Sequence, residues 1–496
     1  SLMERDPAAM RRAILSAPQK ADAIEVRLDA LAPLDRTALP ALFEGAPRPI
    51  IATCRRRGDG GRYAGSERAR RELLLEAVKA GASYIDVEHG TSAASLTVLA
   101  SETQGLGIII SHHDRSGMPG RPAALYRRLC RIRGVKAVKI VGTARRPADL
   151  MKAHDLLAAA RGSTPLISFC MGKTGTLTRV LALEWGSWAT YASDGAGRPS
   201  APGQVSLTDL VEVYRIEEID SDTRLAGIIG TPLGHSLSPV VHNAAYRASG
   251  LNFRYVPIEI PTAACLKEVR PLMRALRIRG LSVTSPYKTR ILRHLDLIEP
   301  LARKIGAVNT IVSDGRKLCG FNTDASGGFT ALADALEEIG LAPGGLTMAV
   351  IGSGGSARAL AYAAAASGAR VLVASRSERP GRALARAVRG RYVPLRRLAR
   401  ESYEVLINCT PVGMKGSGRP ALPVPESAVK GRLAFDVIYA PESTPLLLKA
   451  GERGLATLGG LEMLVRQAAE QHALFTGRTA PLDVMRDAAR QSLPAG

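Results

Sequence analysis

Between residues 23 and 193 the chain offers seven short apolar runs, "AIEVRLD", "IIATCR", "YIDVE", "GIIISHH", "AVKIVG", "LISFCMG" and "WATYAS", separated by helix-forming stretches. A strand–helix repeat of this kind folds as a parallel sheet with helical crossovers, either a barrel or a doubly wound sheet. Seven strands fit a (β/α)8 barrel lacking one. The chain opens directly into the helix-like "DPAAMRRAIL", so the strand not seen is the first, which would precede Met3. An open edge there would weaken the barrel or invite pairing with another molecule.

After "VEVYRIEEIDSDTRLAG" the pattern restarts with the strand "AGIIG" and the turn "TPLGHSLSP", which sets a boundary near residue 221. Further on, "TMAVIGSGGSARALAYAAAASGARVLVASR" (347–376) reads strand, glycine turn, Ala-rich helix, strand, the order of a Rossmann unit. A chain of 496 residues has room for about three domains.

The net charge of +22 raises the question of a polyanionic partner. The Arg and Lys residues are spread along the chain, and no aromatic-rich RNA module or DNA-reading motif accompanies them. A solvated basic surface suited to small anionic substrates is the expectation, with no nucleic acid. Six scattered cysteines without CxxC spacing argue against a disulfide framework and a zinc site. No secretory signal or membrane-length apolar run is visible, so a cytoplasmic location and no membrane partner are expected.

A barrel carries its chemistry at the C-terminal ends of its strands. Here Glu25 and Arg27 lie in "IEVRLD", Arg55 ends "IIATCR", His113 ends "IIISHH", Lys139 sits in "AVKIVG", and Arg179 follows "LISFCMGKTGTLTR". Singly each is an ordinary surface or structural group. Together, three arginines, a histidine and a lysine at one mouth require an anionic ligand. In such a cationic, partly dry cavity the lysine pKa falls towards neutrality. A neutral amine attacks a carbonyl to give a Schiff base, which acidifies neighbouring C–H bonds. His113 could then move protons, and the arginines could clamp a carboxylate. The residues alone point to imine chemistry on a small keto acid.

"IEVRLD", "TCRRRGDGG", "SHHD", "VKIVG" and "SAPGQ" (200–204) together resemble the type I 3-dehydroquinate dehydratases over residues 1 to about 218. The resemblance implies that Lys139 forms the imine and His113 is the acid/base, with Glu25, Arg27, Arg55, Arg179, Ser200 and Gln204 holding the substrate. It implies a metal-free dehydration of 3-dehydroquinate to 3-dehydroshikimate. Asp59 stands where the family usually has a glutamate that orients the histidine, so that bond must be reached with one methylene fewer.

Residues 225–477 resemble shikimate dehydrogenase. "GTPLGHSLSP", "VTSPYKT", "GAVNTI", "GFNTDASG", "IGSGGSAR", "INCTPVGM", "FDVIYAPESTPLL" and "GLEMLVRQAAEQHALFTG" follow in the family's order. In "GHSLSP" the hydroxyls of Ser236 and Ser238 alternate onto one side of an extended segment, a way to hold a carboxylate. By the resemblance Lys288 pairs with Asp324 at the reacting hydroxyl, and Thr284, Asn309, Tyr439 and Gln467 complete the cleft. Gly352, Gly354, Gly355, Ser356, Ala357, Thr410, Met414 and Gly460 are implied on the cofactor side. The second Rossmann strand ends "VLVASRS", with Ser375, Arg376 and Ser377 where an NAD enzyme usually has an acid, so NADP(H) is expected.

The expected architecture is a (β/α)8-type barrel over 1–220, a substrate-binding domain over 221–325 joined by C-terminal helices over 457–496, and an NADP-binding Rossmann domain over 326–456. The two reactions are consecutive, so the resemblance implies a bifunctional enzyme of aromatic amino-acid biosynthesis. Oligomeric state is left open. Two other readings stay in play, a quinate/shikimate dehydrogenase with a weak dehydratase half, and a regulatory DNA-binding homologue.

Overall fold

In the computed structural model the described residues are 1–31, 36–103, 107–160, 164–195, 200–234, 236–414 and 421–493. The chain divides into two compact units, Ser1–Thr223 with Val256–Glu268, and Arg224–Tyr255 with Val269–Gly496.

The first unit is built on β1 (Ile24–Arg27), β2 (Ile50–Thr53), β3 (Tyr84–Glu88), β4 (Gly107–Asp114), β5 (Val135–Thr143) and β6 (Leu166–Met171), parallel and adjacent in chain order. Alternate strand residues face opposite sides. The outward set, including Ile24, Val26, Ile85, Val87, Ile108 and Ile110, packs with Met10, Leu39, Leu74 and Leu99 of the surrounding helices. The inward set begins apolar, with Ile51, Ile109, Ala137 and Ile167 in one cluster. One layer further along, it turns polar: the register sets Thr53 beside Asp86, Glu88 beside Ser111, and Ser111 beside Lys139. This change of polarity along the strands places the site.

The position of the first strand is held by the opening residues instead of being vacant. Leu2 forms a parallel bridge with Val26, donating to the Glu25 carbonyl at 2.8 Å and accepting from Arg27 N at 3.2 Å. On its other side the backbone nitrogen of Ser1 donates to the Ala192 carbonyl at 2.8 Å. The expected seventh strand, "WATYAS", is not a strand. Trp188 N bonds Leu166 O at 2.8 Å and Ser193 bridges Ser206, but between them side chains take the bonding positions. Ser187 Oγ receives Ser168 N–H at 3.1 Å and Thr190 Oγ1 donates to Arg179 O at 3.1 Å. Both edges of the six-stranded sheet are thus joined through irregular segments.

Beyond residue 223 the chain carries two sheets. One is mixed, formed by β7 (Arg224–Gly230), β8 (Phe253–Glu259), β9 (Gly280–Val283), β10 (Leu297–Ile298), β11 (Thr310–Ser313) and β12 (Leu318–Phe321), in the order β10-β12-β11-β9-β7-β8. The other is parallel, formed by β13 (Thr347–Ile351), β14 (Arg370–Ser375), β15 (Arg391–Pro394), β16 (Val405–Asn408), β17 (Leu433–Asp436) and β18 (Ala456–Leu458), in the doubly wound order β15-β14-β13-β16-β17-β18. Between β13 and the helix Gly355–Ala366, Gly352 takes φ +115°, a conformation that favours glycine. The helix Thr323–Glu337 presents Gly327 to the helix Gly460–Thr476, where a Cβ would lie 2.6 Å from Gln467 N. That close approach brings Asp324 and Gln467 into one site.

All six cysteines are free. No helix among the described residues is long and apolar enough to cross a membrane.

Candidate functional site

In the barrel unit the inward faces of β1, β3, β4 and β5 converge on Lys139. Its Nζ donates to Asp86 Oδ2 at 3.1 Å, lies 3.9 Å from Glu25 Oε1, and stands 3.6 Å over the Tyr191 ring. Burial lowers the lysine pKa, against the pull of Asp86 and Glu25, while Arg55 adds to the lowering. His113 is pushed well below its ordinary value, first by burial and then by Arg55 and Lys139. Both bases therefore give up their protons more readily than they would in water. His113 Nδ1 faces Arg55 Nη1 at 3.3 Å.

The cavity is less cationic than the sequence suggested, because four carboxylates, Glu25, Asp29, Asp86 and Glu88, pair with its cations. Arg55 pairs with Asp86 at 3.0 Å and Glu88 at 3.6 Å. Burial alone would raise the Asp86 carboxyl, but Arg55 and Lys139 hold it well below the usual range. Arg27 is committed to Asp29 through two bonds of 2.9 and 2.7 Å. Glu25 accepts from Thr53 Oγ1 at 3.0 Å and from Ser1 Oγ. Arg179 differs from the other two arginines. It is 1 % exposed, its Nη1 donates to Tyr191 O at 3.3 Å, and its Nε and Nη2 find no partner among the described residues. Burial brings its pKa down to about 10. A buried guanidinium with two unfilled donors is a receptor for an anion such as a carboxylate.

Asp59 does not orient His113 here. It pairs with Arg56 at 2.9 Å on a 3-10 turn, and the carboxylate that acts on His113 is Asp86. Ser200 and Gln204 bond each other, Ser200 N and Oγ donating to Gln204 Oε1 at 2.7 and 3.0 Å, on a loop whose Pro202 carbonyl accepts from Gly172 N just after β6.

In the second unit Lys288 Nζ donates to Asp324 Oδ2 at 2.6 Å and to Ser356 Oγ at 3.4 Å. Asn309 Nδ2 donates to Asp324 Oδ1 at 2.9 Å and reaches Gln467 Oε1 at 3.3 Å. Asp324 lies in the first turn of its helix, where the amide dipoles favour a carboxylate. Thr284 sits against Gly230, where a Cβ would come 2.3 Å from Thr284 Cγ2. Ser236 and Ser238 are not on an extended segment. Ser238 opens the helix Ser238–Ala248 with Pro239 behind it, and its N–H points to Ser236 Oγ at 3.3 Å. Tyr439 packs with Leu237, between those two serines.

On the cofactor side, the backbone around Gly354 is open, since a Cβ there would meet nothing within 4 Å, and Gly354 caps the helix Gly355–Ala366. Helix N-termini of this kind accept phosphate. The tip of β14 offers Arg376, exposed and without an ion pair among the described residues, beside Ser377; Ser375 is turned inward and donates to Ser377 O at 2.8 Å. These residues fit a dinucleotide with an additional phosphate. Thr410 bonds Asn408 Oδ1 through N and Oγ1 at 3.0 and 2.8 Å, and Met414 is exposed. Ala357 is buried in the helix–sheet core. Gly460 is accounted for by backbone packing, since a Cβ would lie 2.2 Å from Val437 O.

The type I 3-dehydroquinase family matches residues 1–221, the shikimate dehydrogenase substrate binding domain matches 228–311, and the shikimate 5'-dehydrogenase C-terminal domain matches 460–490. The bifunctional 3-dehydroquinate dehydratase/shikimate dehydrogenase of Arabidopsis thaliana, a chloroplastic protein, is 36 % identical over 487 residues, 94 % of this chain and 79 % of the relative. The chain belongs to this bifunctional family. Its dehydrogenase half is 40 % identical over 283 residues to the NADP(+) shikimate dehydrogenase of Citrifermentans bemidjiense, covering 54 % of this chain and 96 % of that protein. A shikimate dehydrogenase solved in complex with NADP+ superposes with a TM-score of 0.52 at 34 % identity, over 56 % of this chain and 98 % of the other.

Sequence reasoning missed Asp86, Ser111, Asp29 and Tyr191 in the dehydratase half, and Thr323 and Gln471 beside Asn309 in the dehydrogenase half. Asp86 left a signal. An acid in the middle of the apolar run "YIDVE", two residues before Glu88, is an inward position of the same strand.

Proposed function

We propose that Lys139 and His113 carry the dehydration of 3-dehydroquinate in this bifunctional enzyme, and that Lys288 and Asp324 serve the reduction of 3-dehydroshikimate. The observation supporting the first step is a buried lysine and histidine, both with lowered pKa, the lysine standing over the ring of Tyr191, whose carbonyl meets the buried guanidinium of Arg179. Arg179 takes the substrate carboxylate, with Arg27, Glu25, Ser200 and Gln204 around the ring hydroxyls. Lys139 adds to the ketone and loses water to form an iminium, whose positive charge Asp86 stabilises from 3.1 Å. His113 removes a C2 proton, and the electron pair flows to the iminium nitrogen. The imidazolium then returns a proton to the C1 hydroxyl as it leaves as water, and hydrolysis frees Lys139. This route needs no metal, because the iminium is the electron sink.

In the dehydrogenase half, Ser236, Ser238, Thr284, Asn309, Tyr439 and Gln467 hold the substrate. Gly352, Gly354 and the first turn of the following helix hold the cofactor phosphates, and Arg376 with Ser377 the extra phosphate of NADPH. The nicotinamide supplies a hydride. The chain's part is to present the Lys288 ammonium to the developing alkoxide and keep it oriented through Asp324, which Asn309 holds in turn. The twin-serine cleft with Thr284 favours shikimate over quinate.

Borohydride with 3-dehydroquinate should attach ligand mass to the peptide carrying Lys139. An active enzyme whose Lys139 stays unmodified would overturn the imine assignment.

A further inference from the structure

The catalytic lysine of the dehydrogenase half is seated on the cofactor loop. Lys288 leaves the turn after β9, and its stem lies across Gly355, where a Cβ would fall 2.8 Å from Lys288 Cδ and 3.0 Å from its Cβ. Any side chain at 355 would displace that stem. Beyond the stem, the ammonium has three N–H bonds. One goes to Asp324 Oδ2 at 2.6 Å, and a second is directed at Ser356 Oγ at 3.4 Å. The third has no acceptor among the described residues.

We propose that Ser356 is a positioning residue for Lys288: its hydroxyl is the second acceptor that fixes the ammonium so that the remaining proton faces the carbonyl being reduced. The proposal rests on the dehydrogenase reading of Lys288 and Asp324. It gives Ser356 a role towards the acid distinct from the phosphate-binding role its place in the glycine loop implies. A three-donor ammonium held by one acceptor rotates about the Cε–Nζ bond, and two acceptors stop that rotation. Because Ser356 is in the first turn of the helix Gly355–Ala366, where the cofactor phosphates would sit, the loop that holds the cofactor also aims the acid.

The test uses the full chain with Ser356→Ala and Ser356→Thr, measuring dehydroshikimate reduction across pH with dehydratase turnover as the folding control. Loss of one neutral acceptor should lower kcat about 3- to 10-fold in the alanine variant. KM for NADPH should stay within about two-fold, since the backbone amides that cradle phosphate remain. The split between kcat and KM for NADPH is the readout that a merely structural role would not move, and the pH profile is recorded beside it. Threonine, which keeps the hydroxyl, should restore kcat. Unchanged kcat would overturn the proposal, as would a rise in KM for NADPH with kcat intact, which assigns the hydroxyl to the cofactor alone. Absence of dehydrogenase turnover in the unsubstituted chain would overturn the dehydrogenase reading itself, and this inference with it.

Discussion

Replacing Arg179 with methionine should make the dehydratase half more stable and nearly inactive. Arg179 is buried with two donors that have no partner among the described residues, and its pKa is drawn from 12.5 to about 10. The unfolded chain therefore holds that proton more tightly than the folded one, so at pH 7 the charge opposes folding. The shift corresponds to about 3 kcal/mol. Stacking of the guanidinium on Phe169, 4.4 Å from the ring centroid, returns about 1 kcal/mol that methionine would only partly replace. A net gain of about 2 kcal/mol in a domain of this size raises the melting midpoint by about 4–8 °C. Activity moves the other way. Loss of charge-assisted bonds to a carboxylate, each worth about 1.5–3 kcal/mol, should lower kcat/KM for 3-dehydroquinate by about two orders of magnitude or more. Thermal melts with the appearance of the conjugated product read both quantities. A lowered melting midpoint, or retained dehydratase efficiency, would refute the idea that Arg179 is an unfilled anion receptor.

Asp86→Asn removes a negative charge that supports protonation of Lys139 and His113, so the acidic limb of the dehydratase pH profile should move to lower pH by at least about one unit. His242 and His472 are buried and neutral, with pKa values lowered by burial to about 3 and about 4. The unfolded chain protonates both below about pH 6.5, so stability should fall as pH drops from there, by about 4 kcal/mol at pH 5, read by denaturant titration of the dehydrogenase half. Arg376→Ala should raise KM for NADPH about ten-fold and leave NADH turnover unchanged, since only the former carries the extra phosphate.

What could be read from the sequence, and what could not, follows from the range of each signal. Strand periodicity is local, so β1 to β6 were visible, and so were Lys139 and His113 as polar intrusions in apolar runs. The Lys288–Asp324 pair was reached through motif order. Partner choice is not local. Nothing in "IEVRLD" says that Arg27 pairs with Asp29, and nothing in "TCRRRGDGG" says that Asp59 turns to Arg56. The same limit explains the barrel edge, because a one-residue bridge at Leu2 leaves no periodicity, and Ser187 and Thr190 replace ladder bonds with side-chain bonds in "WATYAS". Ser238 was misplaced because Pro239 at the second helical position permits a helix start that a Ser-rich turn conceals.

The central claim is that both halves work in one chain, and the direct measurement is NADPH absorbance with the purified protein and 3-dehydroquinate as the sole carbon substrate, with 3-dehydroshikimate added in parallel. The account predicts NADPH oxidation with both, the first after a lag while 3-dehydroshikimate accumulates, and loss of only the first in a Lys139→Ala variant. Oxidation with 3-dehydroshikimate alone in the unsubstituted chain would contradict it.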